Sequence, residues 1–412
     1  MENHDSIVID SLPALRKSLR ISFVTETYPP EVNGVSNTAA RFVEGLRGLN
    51  HEVQVIRPRQ GQSDQAGSGN GSDEVLMRGL PIPRYPGLRM GLPARKALIR
   101  LWSRHRPDVV HIVTEGPLGW SALQAAHKLE LPVSSDFRTN FHAYSRHYGV
   151  GWLHKPIIAY LRKFHNRTLM TMVPTASMRA ELAASGFRNL HVVSRGVDTR
   201  LFNPAKRNLV LRAGWGAAPE DPVILSVGRL APEKNLDTLV AAFMQIRQSA
   251  PSAKLVVVGD GPARDALRAR CPDATFAGMR TGEDLAAHYA SSDVFLFPSL
   301  TETFGNVTIE AMASGLAVVA FDYAAAAEHI VHGSSGLLAP FDDSAAFIGH
   351  AASLSADTAM IRELGRRARA VTEQLAWSRV IGQFETLLLT AAEAHPGGFD
   401  ALAAQAASGR AF

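Results

Sequence analysis

Two glutamates, Glu302 and Glu310, stand eight positions apart in SLTETFGNVTIEAMASG, residues 299–315. Between them the chain is expected to enter a helix near Asn306. The amides of Phe304, Gly305, Asn306 and Val307 would then be helix-start donors, able to hold a phosphate. Glycine at 305 lets the backbone approach such a group closely. Carboxylates repel phosphate, so the two acids must serve another part of the same ligand. Hydroxyls are their natural partners: a vicinal diol such as a ribose for Glu310, a sugar for Glu302, each charge-assisted bond worth about 1.5–3 kcal/mol. Upstream, VGRLAPEKNLD, residues 227–237, sets Arg229 and Lys234 between a strand end and a helix. Two cations there suit a diphosphate that develops charge as it leaves. A nucleotide diphosphate sugar presents diol, diphosphate and hexose hydroxyls together. Singly, each residue has a plainer reading as a loop cation or a helix-dipole acid; the conjunction carries the argument.

Those residues need strand–loop–helix units to hold them, and the chain reads as two series of such units. RISFVTE, residues 20–26, is a strand, and Asn33-Gly34 marks a turn. Ser36 is placed to cap a helix with an apolar stripe of Ala39, Phe42, Val43 and Leu46, ended by Gly48 before the strand EVQVI. Residues 61–74 are rich in Gly, Ser and Asp and read as a loop. PDVVHIVTEGPLGWSALQAAHKL repeats strand, turn and helix. TNFHAYSRHYGVGWLHKP is dense in His, Tyr and Arg without periodicity, as in an active-site loop. After the strand-like HVVSRGVDTRLFNP, residues 191–204, the alternation restarts with PVILSVGRL and runs through DVFLFPS and GLAVVAFD. The expected organisation is a leader at 1–19, a Rossmann-like domain at 20–200 and a second at 201–378. A helix at 379–394 would return to the first domain, with a tail at 395–412. Both domains are α/β and doubly wound, and ligands of such sheets bind beyond the carboxyl ends of the strands.

Composition excludes several classes. With 46% hydrophobic and 20% charged residues, the chain has the balance of a globular protein rather than a disordered one. Its only cysteine, Cys271, rules out an intrachain disulfide and fits a reducing cytoplasm. No apolar run approaches the roughly 20 residues of a membrane span, and the leader lacks the apolar core of a signal peptide. The net charge of +5 is uneven: residues 84–106 carry seven Lys and Arg and no acid, interleaved with Leu98, Ile99, Leu101 and Trp102. That mixture suits peripheral contact with an anionic membrane; the plainer reading is a helix packing its apolar side on its own domain. No recognition-helix or stacking pattern supports a nucleic acid partner. There is no D-x-D sequence and no histidine pair with a third ligand on a helix, so neither metal nor cofactor is expected. VVVGDGPARDA lacks the third glycine and the following acid of a dinucleotide site.

TETFGNVTIEAMASG, with GRLAPEKN, GDGP and SRGVDTRLFNP, resembles the retaining glycosyltransferases of the GT-B fold, family 4. VTETYPPEVNGVSNTAARFVEGL, YPGLRMGLP and PDVVHIVTEGPLGWSAL extend the likeness over about residues 20–390. The subgroup is that of GDP-mannose-dependent α-mannosyltransferases and of sulfoquinovosyl- or glucosyl-diacylglycerol synthases. The resemblance implies a GT-B fold and transfer of a hexose, mannose or glucose, from GDP-mannose or a UDP-hexose to a lipid or lipid-linked acceptor, without metal, at the cytoplasmic face of the membrane. Arg229 and Lys234 would bind the diphosphate, Glu302 the donor sugar and Glu310 the ribose. Residues 304–307 would hold sugar hydroxyls and phosphate, Gly34 would pass close to the phosphate, and Met279 and Arg280 would meet the base. In one departure, RTNF stands where relatives have HTNF, so Arg138 replaces a histidine close to the reacting sugar. Arginine cannot act as a base, and His142 is the neighbouring candidate. The rivals are an epimerase or phosphorylase of the same fold and a silent nucleotide-sugar-binding protein; labelled donor incubated with lipids separates them.

Overall fold

Short runs of Val, Ile, Leu and Phe, apolar on both faces, form two parallel sheets. The computed structural model describes residues 17–31, 34–61, 64, 74–81, 89–138, 154–302, 304–355 and 357–394. The first sheet contains β1 (Arg20–Val24), β2 (Glu52–Pro58) and β3 (Glu74–Met77). After a small antiparallel pair, β4 (Gly79–Pro81) with β5 (Arg89–Gly91), come β6 (Val109–Ile112), β7 (Val133–Asp136), β8 (Met170–Val173) and β9 (Leu190–Val192). Its order is β3-β2-β1-β6-β7-β8-β9. The second sheet is built from β10 (Val223–Val227), β11 (Lys254–Val258), β12 (Thr275–Gly278), β13 (Val294–Phe297), β14 (Ala317–Phe321) and β15 (Leu337–Ala339). Its order is β12-β11-β10-β13-β14-β15. In each sheet the winding reverses beside the first strand, between β1 and β6 and between β10 and β13, which is the expected doubly wound topology.

Packing groups Met1–Ser134 with Leu388–Phe412 as one compact unit and Ser135–Leu387 as another. In the first unit the helix Gly34–Gly48 buries Ala39, Phe42, Val43 and Leu46, as its periodicity predicts. It begins three residues earlier than a cap at Ser36 would place it. Ser36 lies within its first turn and its hydroxyl donates to the Glu31 carbonyl at 2.5 Å, so it is not the cap. Helix Arg95–Arg104 buries Leu98 and Trp102 completely, and Trp102 Nε1 donates to Ser22 Oγ at 3.0 Å. Its apolar side is therefore spent on its own unit, while Arg95, Lys96, Arg100 and Arg104 stay exposed. Residues 84–88 lie outside the described residues. The helix Trp377–Glu393 ends with Glu393 paired to Lys17 at 3.2 Å.

Beyond β1, Glu26 turns inward. Its Oε1 accepts from the Leu118 amide at 2.8 Å and its Oε2 from Gly91 at 3.3 Å, so the carboxylate fills the start of helix Pro117–Lys128. Burial pushes this acid up to about 7, against the amide bonds that lower it.

In the second unit β10 sends Val223, Leu225 and Val227 to one core cluster and Ile224 to the other. Each fully buried side chain of this size contributes roughly 1.5–3 kcal/mol. A one-residue slip would exchange the two faces, so the register of β10, and with it the loop that follows, is fixed. The strand expected over 191–204 is confined to its start, β9; Val197 forms only an isolated bridge to Ala376. No described helix is long and apolar enough to cross a membrane.

Candidate functional site

The loops carrying the predicted cations and acids leave adjacent strands. β10 and β13 pair in parallel, Ile224 with Val294 and Leu225 with Phe295, on either side of the reversal in winding. After β10 the chain passes Gly228 and Arg229, makes a turn at Pro232–Lys234, and enters helix Leu236–Ser249. After β13 it reaches Ser299, Glu302 and Gly305 and enters helix Asn306–Ala313, starting where the sequence places it. Gly305 has φ +91°, in the left-handed region, and the atoms nearest to a hypothetical Cβ lie 3.7 Å away, at ordinary contact distance. Backbone conformation rather than space makes it glycine. The Thr308 amide closes the first bond to the Gly305 carbonyl at 3.0 Å, so the preceding amides stand ahead of the helical ladder. The Phe304 side chain is buried, and its carbonyl accepts from the Ala325 amide at 2.7 Å.

Lys234 and Glu302, assigned to different parts of a donor, meet here as a close ion pair, Nζ to Oε1. Ser299 Oγ donates to the same oxygen at 2.9 Å, and Tyr323 holds the Glu302 carbonyl at 3.1 Å. Glu310 faces Tyr289, whose hydroxyl donates to Oε2 at 3.0 Å. Burial pushes the Glu310 carboxyl up to about 7, and this hydrogen bond works against the shift. Arg229 is exposed at the lip of its loop. Met279 and Arg280 follow β12: Met279 is 70% exposed, and Arg280 is held by the Ala277 carbonyl and by Asp284, both at 2.9 Å.

Two other predicted residues lie away from this turn in the sequence. Gly34 is exposed at the start of helix Gly34–Gly48 in the first unit. Arg138, just past β7, is buried and forks onto Asp136, Nε to Oδ2 at 2.9 Å and Nη2 to Oδ1 at 3.4 Å. His142 lies outside the described residues. Among the described residues no three His, Cys, Asp or Glu side chains are grouped to hold a metal ion. Sequence reasoning missed Tyr289 and Ser299. DLAAHYA reads as an ordinary core helix, and only the fold brings its tyrosine to Glu310.

Two doubly wound sheets, the second carrying an acid–base pair at the reversal of its winding, give the chain the α/β plan of the GT-B fold. Residues 32–201 match the family profile "Glycosyltransferase Family 4", and residues 221–357 match "Glycosyl transferases group 1". A GDP-mannose-dependent alpha-mannosyltransferase of Mycobacterium tuberculosis is 33% identical over 90% of this chain and 97% of its own. The sulfoquinovosyl transferase SQD2 of Arabidopsis thaliana is 30% identical, covering 88% of this chain and 72% of its own. Among solved structures, sucrose-phosphate synthase from Thermosynechococcus elongatus superposes with a TM-score of 0.74 at 20% identity, over 90% of this chain and 98% of that one. The chain belongs to glycosyltransferase family 4 and transfers a sugar from a nucleotide sugar.

Proposed function

We propose that the chain is a retaining, metal-independent hexosyltransferase that moves mannose or glucose from a nucleotide diphosphate donor to a lipid or lipid-linked acceptor at the cytoplasmic face of a membrane. The observation that carries the reading is the Lys234–Glu302 pair beside the open start of helix Asn306–Ala313, on neighbouring strand ends. The GDP-mannose-dependent relative supports the donor class, and an alpha-monoglucosyldiacylglycerol synthase of Acholeplasma laidlawii, 25% identical over 90% of this chain, supports the lipid acceptor.

In this reading Glu310 accepts from the ribose hydroxyls and Glu302 from the donor sugar. The amides of residues 304–307, with Arg229 and Lys234, take the diphosphate, and Met279 and Arg280 lie along the base. Lys234 then shifts from Glu302 toward the phosphate, freeing carboxylate oxygen for a hexose hydroxyl. As the anomeric carbon–oxygen bond to phosphate breaks, negative charge grows on the diphosphate, and the fixed cations and amides stabilise it. The acceptor oxygen bonds the anomeric carbon on the departing face, and its proton goes to the leaving phosphate. Arg138, always charged and committed to Asp136, takes no part as a base.

Labelled GDP-mannose and UDP-glucose incubated with membrane lipids test the proposal. Label entering the organic extract with its anomeric configuration kept is the expected result; free sugar phosphate or epimer would contradict it. Lys234→Ala should slow transfer by about a hundred-fold while changing donor affinity less, as for loss of a group acting on developing charge. A rate within a factor of about two of the parent would remove Lys234 from the diphosphate.

A further inference from the structure

Arg195 is 4% exposed and takes no part in the interactions described so far. Other buried arginines of its unit find side-chain or carbonyl acceptors, although Arg138 Nη1 and Arg212 Nε are buried without one. Arg212 donates to the carbonyls of Ser291, Ala218, Pro219 and Asp221 and to Asp293, and Arg138 forks onto Asp136. Arg195 Nε is sealed from solvent with no hydrogen-bond partner. A buried guanidinium nitrogen left without an acceptor is disfavoured, so this arrangement suits an anion from outside the chain.

Its position says which anion. The guanidinium carbon lies 5.5 Å from the centroid of the Phe304 ring, and Phe304 sits between Glu302 and Gly305 in the proposed donor turn. Cation–π contact orients the charge without quenching it. The backbone around it is pinned. Ser194 Oγ lies 3.4 Å from His329 Nε2, and the Val197 amide donates to the Leu375 carbonyl at 2.9 Å. A Cβ on Gly196 would come within 2.5 Å of the Trp377 ring. Burial, then the neighbouring Arg138, pushes Arg195 down to about 9 against the attraction of Asp136 and Glu302, so it remains cationic at neutral pH.

We infer that Arg195 is a further donor-binding residue, whose guanidinium receives an oxyanion of the bound nucleotide sugar on the Phe304 side of the turn. This rests on the nucleotide-sugar reading of the turn proposed above. Lys234 is engaged by Glu302 and Arg229 stands at an exposed lip, so neither duplicates a buried planar fork. The oxyanion belongs either to the diphosphate or to an acidic substituent on the sugar, and both present oxygens that a guanidinium grips in the same way.

Calorimetric titration of the full chain with UDP, GDP, UDP-glucose and UDP-glucuronate, with melting of the ligand-free protein, tests this in Arg195→Met and Arg195→Lys. Arg195→Met should melt no lower than the parent, because it removes a buried charge whose Nε has no acceptor. It should also lose about ten-fold or more in affinity. Loss with UDP and GDP assigns the oxyanion to the diphosphate; loss confined to UDP-glucuronate assigns it to the sugar. Arg195→Lys, which keeps the charge without the fork, should fall between, and it carries the comparison if the methionine variant does not fold. Parent-like affinity of the folded variant for all four probes overturns the inference, the more so if its melting point drops, since the arginine would then be structural. A parent protein that binds none of the four would instead refute the donor reading itself.

Discussion

Glu310 illustrates how a single carboxyl ties chemistry to pH. Its environment holds the acid up to about 7, whereas a ribose diol is gripped by the ionised form. Donor binding should therefore lower this pKa and release a proton, so affinity should fall as pH drops below about 7, by up to about ten-fold per pH unit. Tyr289 donates to the carboxylate and so opposes the upward shift. Removing that bond in Tyr289→Phe should carry the pKa higher and move the midpoint of the affinity profile to more alkaline pH. Calorimetry across a pH series reads both effects, and superimposable profiles for the two proteins would dissociate Tyr289 from the donor site. Glu310→Gln should weaken binding most above about pH 7, where the parent acid is ionised, and abolish the pH dependence.

At the scale of elements, the loop after β10 owes its place to the loop after β11. The Gly228 amide donates to the Val258 carbonyl at 3.0 Å and the Leu230 amide to Asp260 at 2.9 Å. Gly259, at φ +131°, approaches so closely that a Cβ there would lie 1.9 Å from the Gly228 carbonyl oxygen. The glycines of GDG, which hint at a dinucleotide in the sequence, thus seat the Arg229 loop. Gly259→Ala should push that loop outward and weaken diphosphate binding about ten-fold or more, a fold change readable by titration with UDP. An unchanged affinity would mean that Arg229 does not depend on this packing. The example also marks what was legible in the sequence. Strand and helix periods, the start at Asn306 and the doubly wound plan follow from local pattern. Contacts between elements distant in sequence do not, which is why Tyr289, against Glu310, and Arg195, against Phe304, escaped notice; Ser299 and Ser36 bond over only three and five residues, and their partners depend on turn geometry that residue type does not reveal. The Lys234–Glu302 pair escaped as Tyr289 did, since spacing locates each residue without showing that one neutralises the other.

For the molecule as a whole, charge distribution and repeated architecture are the informative features. Leu98 and Trp102 are buried, so helix Arg95–Arg104 offers a membrane its cations and little apolar surface. Sedimentation with anionic vesicles should accordingly fall away as salt rises and the Debye length shortens from about 10 Å at 0.1 M to about 3 Å at 1 M. Reversing Lys96 and Arg100 to glutamate should lower binding at low salt, and retention that ignores ionic strength would discard electrostatic docking. The two sheets share one plan, yet they treat the helix beyond the reversal in opposite ways. In the second, Gly305 leaves the helix mouth clear, whereas in the first the mouth already grips Glu26. That carboxyl is a built-in occupant, an acceptor supplied by the chain itself. Duplicated architecture thereby loses its duplicate appetite, and a pyrophosphate arriving from solution finds one half of the protein already satisfied.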